Sequence, residues 1–173
     1  MKYLFSNGCS WVEGDELKDR KHSRFSKLVS TNLGLEDINW GLSGCSNERI
    51  IISTMNWIDL NSDKLSDTIM LIGFTATSRS KYDWEMKDIR MFQSHLELMG
   101  IEHHLFFSFS QTHQHLSKGK FKNFTDKSFY EVVMGKNKDE TNLFSMFAKN
   151  GHPNEDSHET FAKYLTGWIS ERK

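Results

Sequence analysis

Two side chains in this chain have the chemistry of a nucleophile and its base, and they stand near opposite ends of it. Ser10 sits in Gly8-Cys9-Ser10-Trp11-Val12-Glu13-Gly14, directly after a short apolar run, Tyr3-Leu4-Phe5. His152 sits in Asn150-Gly151-His152-Pro153-Asn154. A serine hydroxyl is a weak nucleophile at neutral pH. It needs a base within hydrogen-bond reach and donors for the oxyanion that its attack creates. An imidazole supplies the base. Pro153 biases His152 toward extended backbone, which suits a side chain projected into a cleft. Glycine-containing turns supply close-approaching amides, and Gly41-Leu42-Ser43-Gly44 is one such turn in the middle of the chain.

The elements that must hold these residues follow from the pattern of the chain. Residues 2–6 read as a first strand that ends at Ser6-Asn7-Gly8, and a strand ending in a tight turn presents a nucleophile at the carboxyl edge of a sheet. Residues 15–22 are charged and read as a surface connection. Phe25, Leu28, Val29 and Leu33 have helical spacing, and Gly34 is the stop. Ile38-Asn39-Trp40 is a short second strand. After the Gly41–Gly44 loop, Ser46 or Asn47 caps a helix through Ile50, Ile51, Thr54, Met55, Trp57 and Ile58. Residues 67–74, the most apolar run of the chain, read as a central parallel strand buried on both faces. A long helix over 82–99 stops at Gly100, and a fourth strand covers 101–107. Residues 108–138 break this rhythm and read as an insertion or lid. Residues 142–148 make a short helix, and Asn154 or Asp156 caps the closing helix with Phe161, Ala162, Leu165 and Trp168 inward. Alternating strands and helices predict a doubly wound α/β fold with right-handed crossovers.

Taken in this order, the pieces resemble the SGNH (GDSL-type) hydrolase family. Gly8-Cys9-Ser10-Trp11 with Gly14 is similar to its nucleophile block, Asn39-Trp40-Gly41-Leu42-Ser43-Gly44 to its second block, and Gly151-His152-Pro153-Asn154 to its last. The resemblance implies a three-layer α/β/α sandwich with a mostly parallel, flavodoxin-like sheet. It implies a serine esterase or deacetylase acting on a small-molecule or glycan acyl ester, with Ser10 as nucleophile and His152 as base. The oxyanion would be held by the amides of Ser10 and Gly44. Two positions depart from the family pattern. Its third block carries Asn where this chain has Thr75 in Gly73-Phe74-Thr75-Ala76, so the Thr75 hydroxyl is the expected substitute donor. Its Asp before the histidine is replaced by Lys149 and Asn150, so Asn150 is expected to orient His152 without the charge of a carboxylate. Glu155 and Asp156 are the acids near enough in sequence to take that place. Asn47 and Arg79 are further candidates for substrate contact. These departures keep a rival reading open: a non-catalytic protein of the same fold that binds a carbohydrate, nucleotide or protein partner.

Composition bounds the rest. The 173 residues suffice for one domain with a sizeable core. Lys and Arg number 22 against 23 Asp and Glu, a net charge of -1, so there is no electrostatic case for nucleic acid or an anionic membrane. Aromatics at 13% are read mainly as core filling. Cys9 and Cys45 are too few for a disulfide framework and are expected as reduced thiols, with Cys9 a weaker rival nucleophile. The first strand is too short for a signal-peptide core, and no run approaches a membrane span, so a cytoplasmic protein is expected. Short single-domain forms of this kind resemble bacterial and phage proteins. His103, His104, His113 and His115 lack metal-ligand spacing, and no metal or cofactor is expected. His158, inside the closing helix, is read as a packing residue.

Overall fold

The computed structural model describes residues 1–76, 79, 86–109, 123–136 and 145–172. Among the described residues, four parallel strands form one sheet in the order β2-β1-β3-β4: β1 (Tyr3–Gly8), β2 (Glu36–Asn39), β3 (Thr68–Phe74) and β4 (Glu102–Phe107). The order reverses between β1 and β3, which places a topological switch point at the carboxyl ends of those two strands. There Gly8 lies directly opposite Gly73.

Strand alternation sends side chains to two separate cores. Leu4, Ile69, Leu71 and Phe106 face one side, under α3 (Phe25–Leu33) and α7 (Glu155–Ser170). Phe5, Met70, Ile72, Leu105 and Phe107 face the other, under α4 (Asn47–Leu60) and α5 (Met86–Leu98). This is the expected three-layer sandwich. β3 is buried along its whole length, as its apolar run requires. Many of the described aromatic residues pack in these cores in stacked and edge-on pairs, with the rings of Phe129 and Phe161 4.1 Å apart.

The helix boundaries have local causes. Gly34 and Gly100 take left-handed backbone, with φ of 68° and 67°, and stop α3 and α5. Ser46 caps α4 by accepting from the Arg49 N–H, and Asn154 caps α7 by accepting from the Ser157 N–H. Glu155 and Asp156 then lie in the first turn of α7, where the helix dipole favours them.

Several elements differ from the expectation. β2 runs over Glu36–Asn39 rather than 38–40, because an edge strand paired on one side alone carries a weak apolar signal. The turn that follows the first strand is helical: Ser10 begins a single helical turn, α1 (Ser10–Glu13), closed by Gly14 at φ 84°. The charged stretch after it contains another short turn, α2 (Arg20–Ser23), capped by Asp19. Within the stretch read as an insertion, residues 123–125 bridge to β4 at Leu105, and α6 (Phe129–Lys136) buries Phe129 and Val133 in the core. Residues 110–122, the start of the expected 82–99 helix and the first three residues of the expected 142–148 helix lie outside the described residues. No helix among the described residues is long and apolar enough to cross a membrane.

Candidate active site

Ser10 owes its position to the crowding at the end of β1. A Cβ on Gly8 would lie 2.7 Å from the Gly73 carbonyl oxygen and 2.3 Å from a methyl group of Val12. Only glycine lets strand, helical turn and neighbouring strand meet there. Asn7, fully buried, locks the strand end to α4: its side-chain amide faces the Ile50 carbonyl and the hydroxyls of Ser53 and Thr54, and its Oδ1 accepts from the Gly8 N–H at 2.9 Å. Ser10 follows as the first residue of α1, 2% exposed, where main-chain amides have no intrahelical acceptor.

The second loop is laid against this turn by a second asparagine. Asn39 Nδ2 donates to the Val12 carbonyl and to Ser26 Oγ, both at 2.9 Å, and its Oδ1 accepts from the Gly41 N–H at 2.9 Å. The Leu42 N–H donates to the Gly8 carbonyl at 2.9 Å, and the Ser43 N–H to Glu13 Oε2 at 2.6 Å. Gly41 passes so close that a Cβ would stand 2.5 Å from the Glu13 nitrogen. Gly44 then sits exposed at φ 74°, and its N–H makes no hydrogen bond among the described residues.

At the end of β3, Thr75 is fully buried. Its N–H donates to Asn47 Oδ1 at 2.8 Å, and Asn47 Nδ2 returns a bond to the Thr75 carbonyl at 3.1 Å. Asn47 is 1% exposed, and this double bond makes it a brace between α4 and β3. The Thr75 hydroxyl has no partner among the described residues. Arg79 is exposed, with its guanidinium 5.8 Å from the centre of the Phe109 ring.

His152 lies in a turn closed by a bridge between Phe147 and Pro153, with Gly151 at φ 83°. Its Nδ1 is 2.8 Å from Glu16 Oε2. An ionised carboxylate only accepts, so Nδ1 carries the proton and Nε2 is left as the acceptor nitrogen. The same carboxylate accepts from the His152 N–H at 3.3 Å, the Asn150 N–H at 3.2 Å and Asn150 Nδ2 at 2.7 Å. Burial pushes the Glu16 carboxyl up, but these bonds together outweigh it and hold the group below its ordinary range. The expected bond from Asn150 to the imidazole is thus replaced: the Asn150 side chain holds Glu16, and Glu16 holds the ring. Neither acid near the histidine in sequence takes that place. Glu155 accepts from the Lys18 N–H, and Asp156 is exposed on α7.

Glu16 is the residue that motif reading passes over. It stands in a charged stretch with no motif around it. Its one sequence signal is negative, the lack of an acid at 149 and 150. His158 is fully buried against Phe25, as a packing residue is. Cys9 and Cys45 are free and buried, with Cys9 Sγ 3.5 Å from Ser108 Oγ. Among the described residues no group of three side chains can hold a metal ion, and His113 and His115 lie outside them. A cavity of about 780 Å³ near Met1, Leu35, Glu102 and Arg172 lies at the amino edge of the sheet, the end opposite Ser10.

No protein-family model matches the chain, and no curated protein matches it in sequence. Solved structures do resemble it. A structure assigned to the lipolytic G-D-S-L family, from Desulfitobacterium hafniense, superposes with a TM-score of 0.71 at 14% identity, covering 96% of this chain and 98% of its own. A member of the same family from Veillonella parvula gives 0.62 at 14% identity, covering 94% and 95%. A psychrotrophic esterase from Pseudoalteromonas sp., inhibited by monoethylphosphonate, gives 0.61 at 10% identity, covering 98% and 100%. The chain therefore has the SGNH (GDSL-type) hydrolase fold over nearly its whole length.

Proposed function

We propose that this protein is a serine hydrolase of esterase or deacetylase type, cleaving a small-molecule or glycan acyl ester through Ser10 and His152. The observation that supports the reading is the bond between His152 and Glu16, which ties the imidazole to the turn that follows Ser10. Ser10 opens a helical turn at the end of β1, and His152 is bonded through Nδ1 so that Nε2 is left to take a proton.

In this mechanism Ser10 Oγ attacks the acyl carbon while its proton passes to His152 Nε2. The carbonyl oxygen becomes an oxyanion held by the amides of Ser10 and Gly44, with the uncommitted Thr75 hydroxyl as a third donor. The imidazolium returns the proton to the leaving alkoxide oxygen as its bond to carbon breaks. Water then attacks the acyl-serine, giving its proton to Nε2, and the acid departs as Ser10 Oγ regains a proton. Arg79 is exposed and available to an acidic substrate group, whereas Asn47 is enclosed and acts through the brace to Thr75.

The fold shared with a phosphonate-inhibited esterase supports the choice of probe. Intact-mass labelling with a fluorophosphonate on wild type, Ser10→Ala and His152→Ala tests the reading. One adduct on wild type, absent from Ser10→Ala and strongly slowed in His152→Ala, is the expected result. A folded wild type that takes no adduct would overturn it in favour of the binding-protein reading.

A further inference from the structure

We infer that Glu16 is the carboxylate partner of His152, a positioning residue that completes a Ser10–His152–Glu16 relay from the nucleophile's side of the site. The inference rests on the Ser–His reading above and deepens it.

Three independent observations converge on Glu16. Its Oε2 lies 2.8 Å from His152 Nδ1, and the side chains of the two residues are 20% and 25% exposed, so water competes weakly for the bond. Among the described residues Glu16 alone has a positive φ without being glycine, at 66°. Left-handed backbone disfavours a side chain, and glycine would adopt it freely. The turn itself therefore gives no reason for a glutamate. The ring contact does. Charge pairing gives the third observation. Arg20 bridges the neighbouring acids, with Nη1 2.6 Å from Glu13 Oε1 and Nη2 2.8 Å from Asp15 Oδ1. It does not pair with Glu16, whose cationic partner among the described residues is His152 itself, once protonated.

The arrangement explains the residue that replaces the usual acid. Asn150 donates through both its main-chain N–H and its side-chain Nδ2 to the Glu16 carboxylate, and so aims the acid at the ring. Glu16 stays ionised throughout. It fixes the Nδ1–H tautomer before reaction and stabilises the imidazolium after Nε2 has taken the Ser10 proton.

The test joins imidazole NMR to labelling kinetics. In wild type, the ¹⁵N signals of His152 should show the proton on Nδ1, with that proton downfield of the amide envelope. In Glu16→Gln the new amide can donate to Nδ1, so the ring proton should move to Nε2 and fluorophosphonate labelling should fall roughly 10³-fold or more with the fold intact. Asn150→Ala should keep the Nδ1–H tautomer and lose less. If Glu16→Gln does not fold, the wild-type tautomer and Asn150→Ala carry the test. Labelling of Glu16→Gln within a few-fold of wild type would overturn the assignment, as would a wild-type ring protonated on Nε2. Absence of any adduct on wild type overturns the hydrolase reading alone. The tautomer then decides Glu16 by itself: Nδ1–H in wild type and Nε2–H in Glu16→Gln upholds it, and the same tautomer in both overturns it.

Discussion

Two histidines of this chain stand six residues apart and are held in opposite ways. His152 donates through Nδ1 to a carboxylate, whereas His158 accepts at Nδ1 from the Phe25 N–H at 3.1 Å and stacks on the Phe25 ring. A proton added at His158 Nδ1 would face a donor inside an apolar core, and burial pushes its pKa down to about 3 from an ordinary 6.5. The sign follows from linkage. Below pH 6.5 the unfolded chain binds a proton that the folded chain refuses, so stability is complete above 6.5 and falls as pH drops toward 3. The loss approaches about 1.4 kcal/mol per pH unit and totals a few kcal/mol. His158→Gln, followed by urea unfolding between pH 6 and 4, should show a flatter dependence on pH than wild type, whatever its absolute stability. A slope equal to that of wild type would refute this. Glu16 adds a second acid-sensitive contribution. Its carboxyl is held below its ordinary 4.5, so its stabilisation is present above that pH and is lost as pH falls through the lower, folded value. Glu16→Gln should remove that part of the acid limb.

At the scale of elements, the nucleophile turn and the second loop form one unit, and two glycines of that loop separate its two demands. Gly41 is required by space. A Cβ there meets the Glu13 main chain at 2.5 Å, which no rotamer relieves. Gly41→Ala should cost about 1–3 kcal/mol in thermal unfolding and shift the loop that carries Gly44, so labelling at Ser10 should fall as well. Gly44 is required by conformation alone: its φ is 74°, and a Cβ at this position would have nothing within 4 Å. Gly44→Ala should cost only about 1 kcal/mol and keep its N–H, so labelling should survive. Equal labelling losses in the two variants would contradict a main-chain role for Gly44. The paired asparagines follow the same logic. Asn7 ties the end of β1 to α4, and Asn39 ties the second loop to α1 and α3. Each replaces water around main-chain groups that the tight turns leave without regular partners.

Across the whole molecule, the site depends on how the helices of one face are fastened to the sheet. Arg24, which directly precedes α3, reaches Asp37 on β2 with Nη2 2.6 Å and Nε 3.2 Å from Oδ2. The Asp37 side chain is 4% exposed and Arg24 19%, so this pair is largely shielded from water. Arg24→Met would strand a buried carboxylate and should cost about 3–5 kcal/mol in urea unfolding, with Asp37→Asn in the same chain recovering part of it. A loss below about 1 kcal/mol, the size expected of a surface pair, would show the pair to be solvated. On the same face, α7 packs beside α3 and carries the turn of His152 at its amino end. The docking of α7 thereby sets where the imidazole meets the turn that follows Ser10, at Glu16 and at the Lys18–Glu155 bond.

Local chemistry made much of this legible in the sequence. The apolar run of β3, the stops at Gly34 and Gly100 and the caps at Ser46 and Asn154 each act within a few neighbouring residues, so their effect can be read from the chain alone. The order of the Ser10, Gly44 and His152 segments likewise pointed to the fold. Tertiary structure decided what those segments meet. That Asn47 braces Thr75, that Ser10 opens a helical turn and that Glu16 holds the imidazole depend on contacts between segments far apart in the chain. Glu16 and His152 are 136 positions apart, and no periodicity or spacing links them. Their pairing exists only once α7 has docked against α3 and the turn after α1 has taken its left-handed step at Glu16. Hydrogen bonds of that kind are chosen by packing.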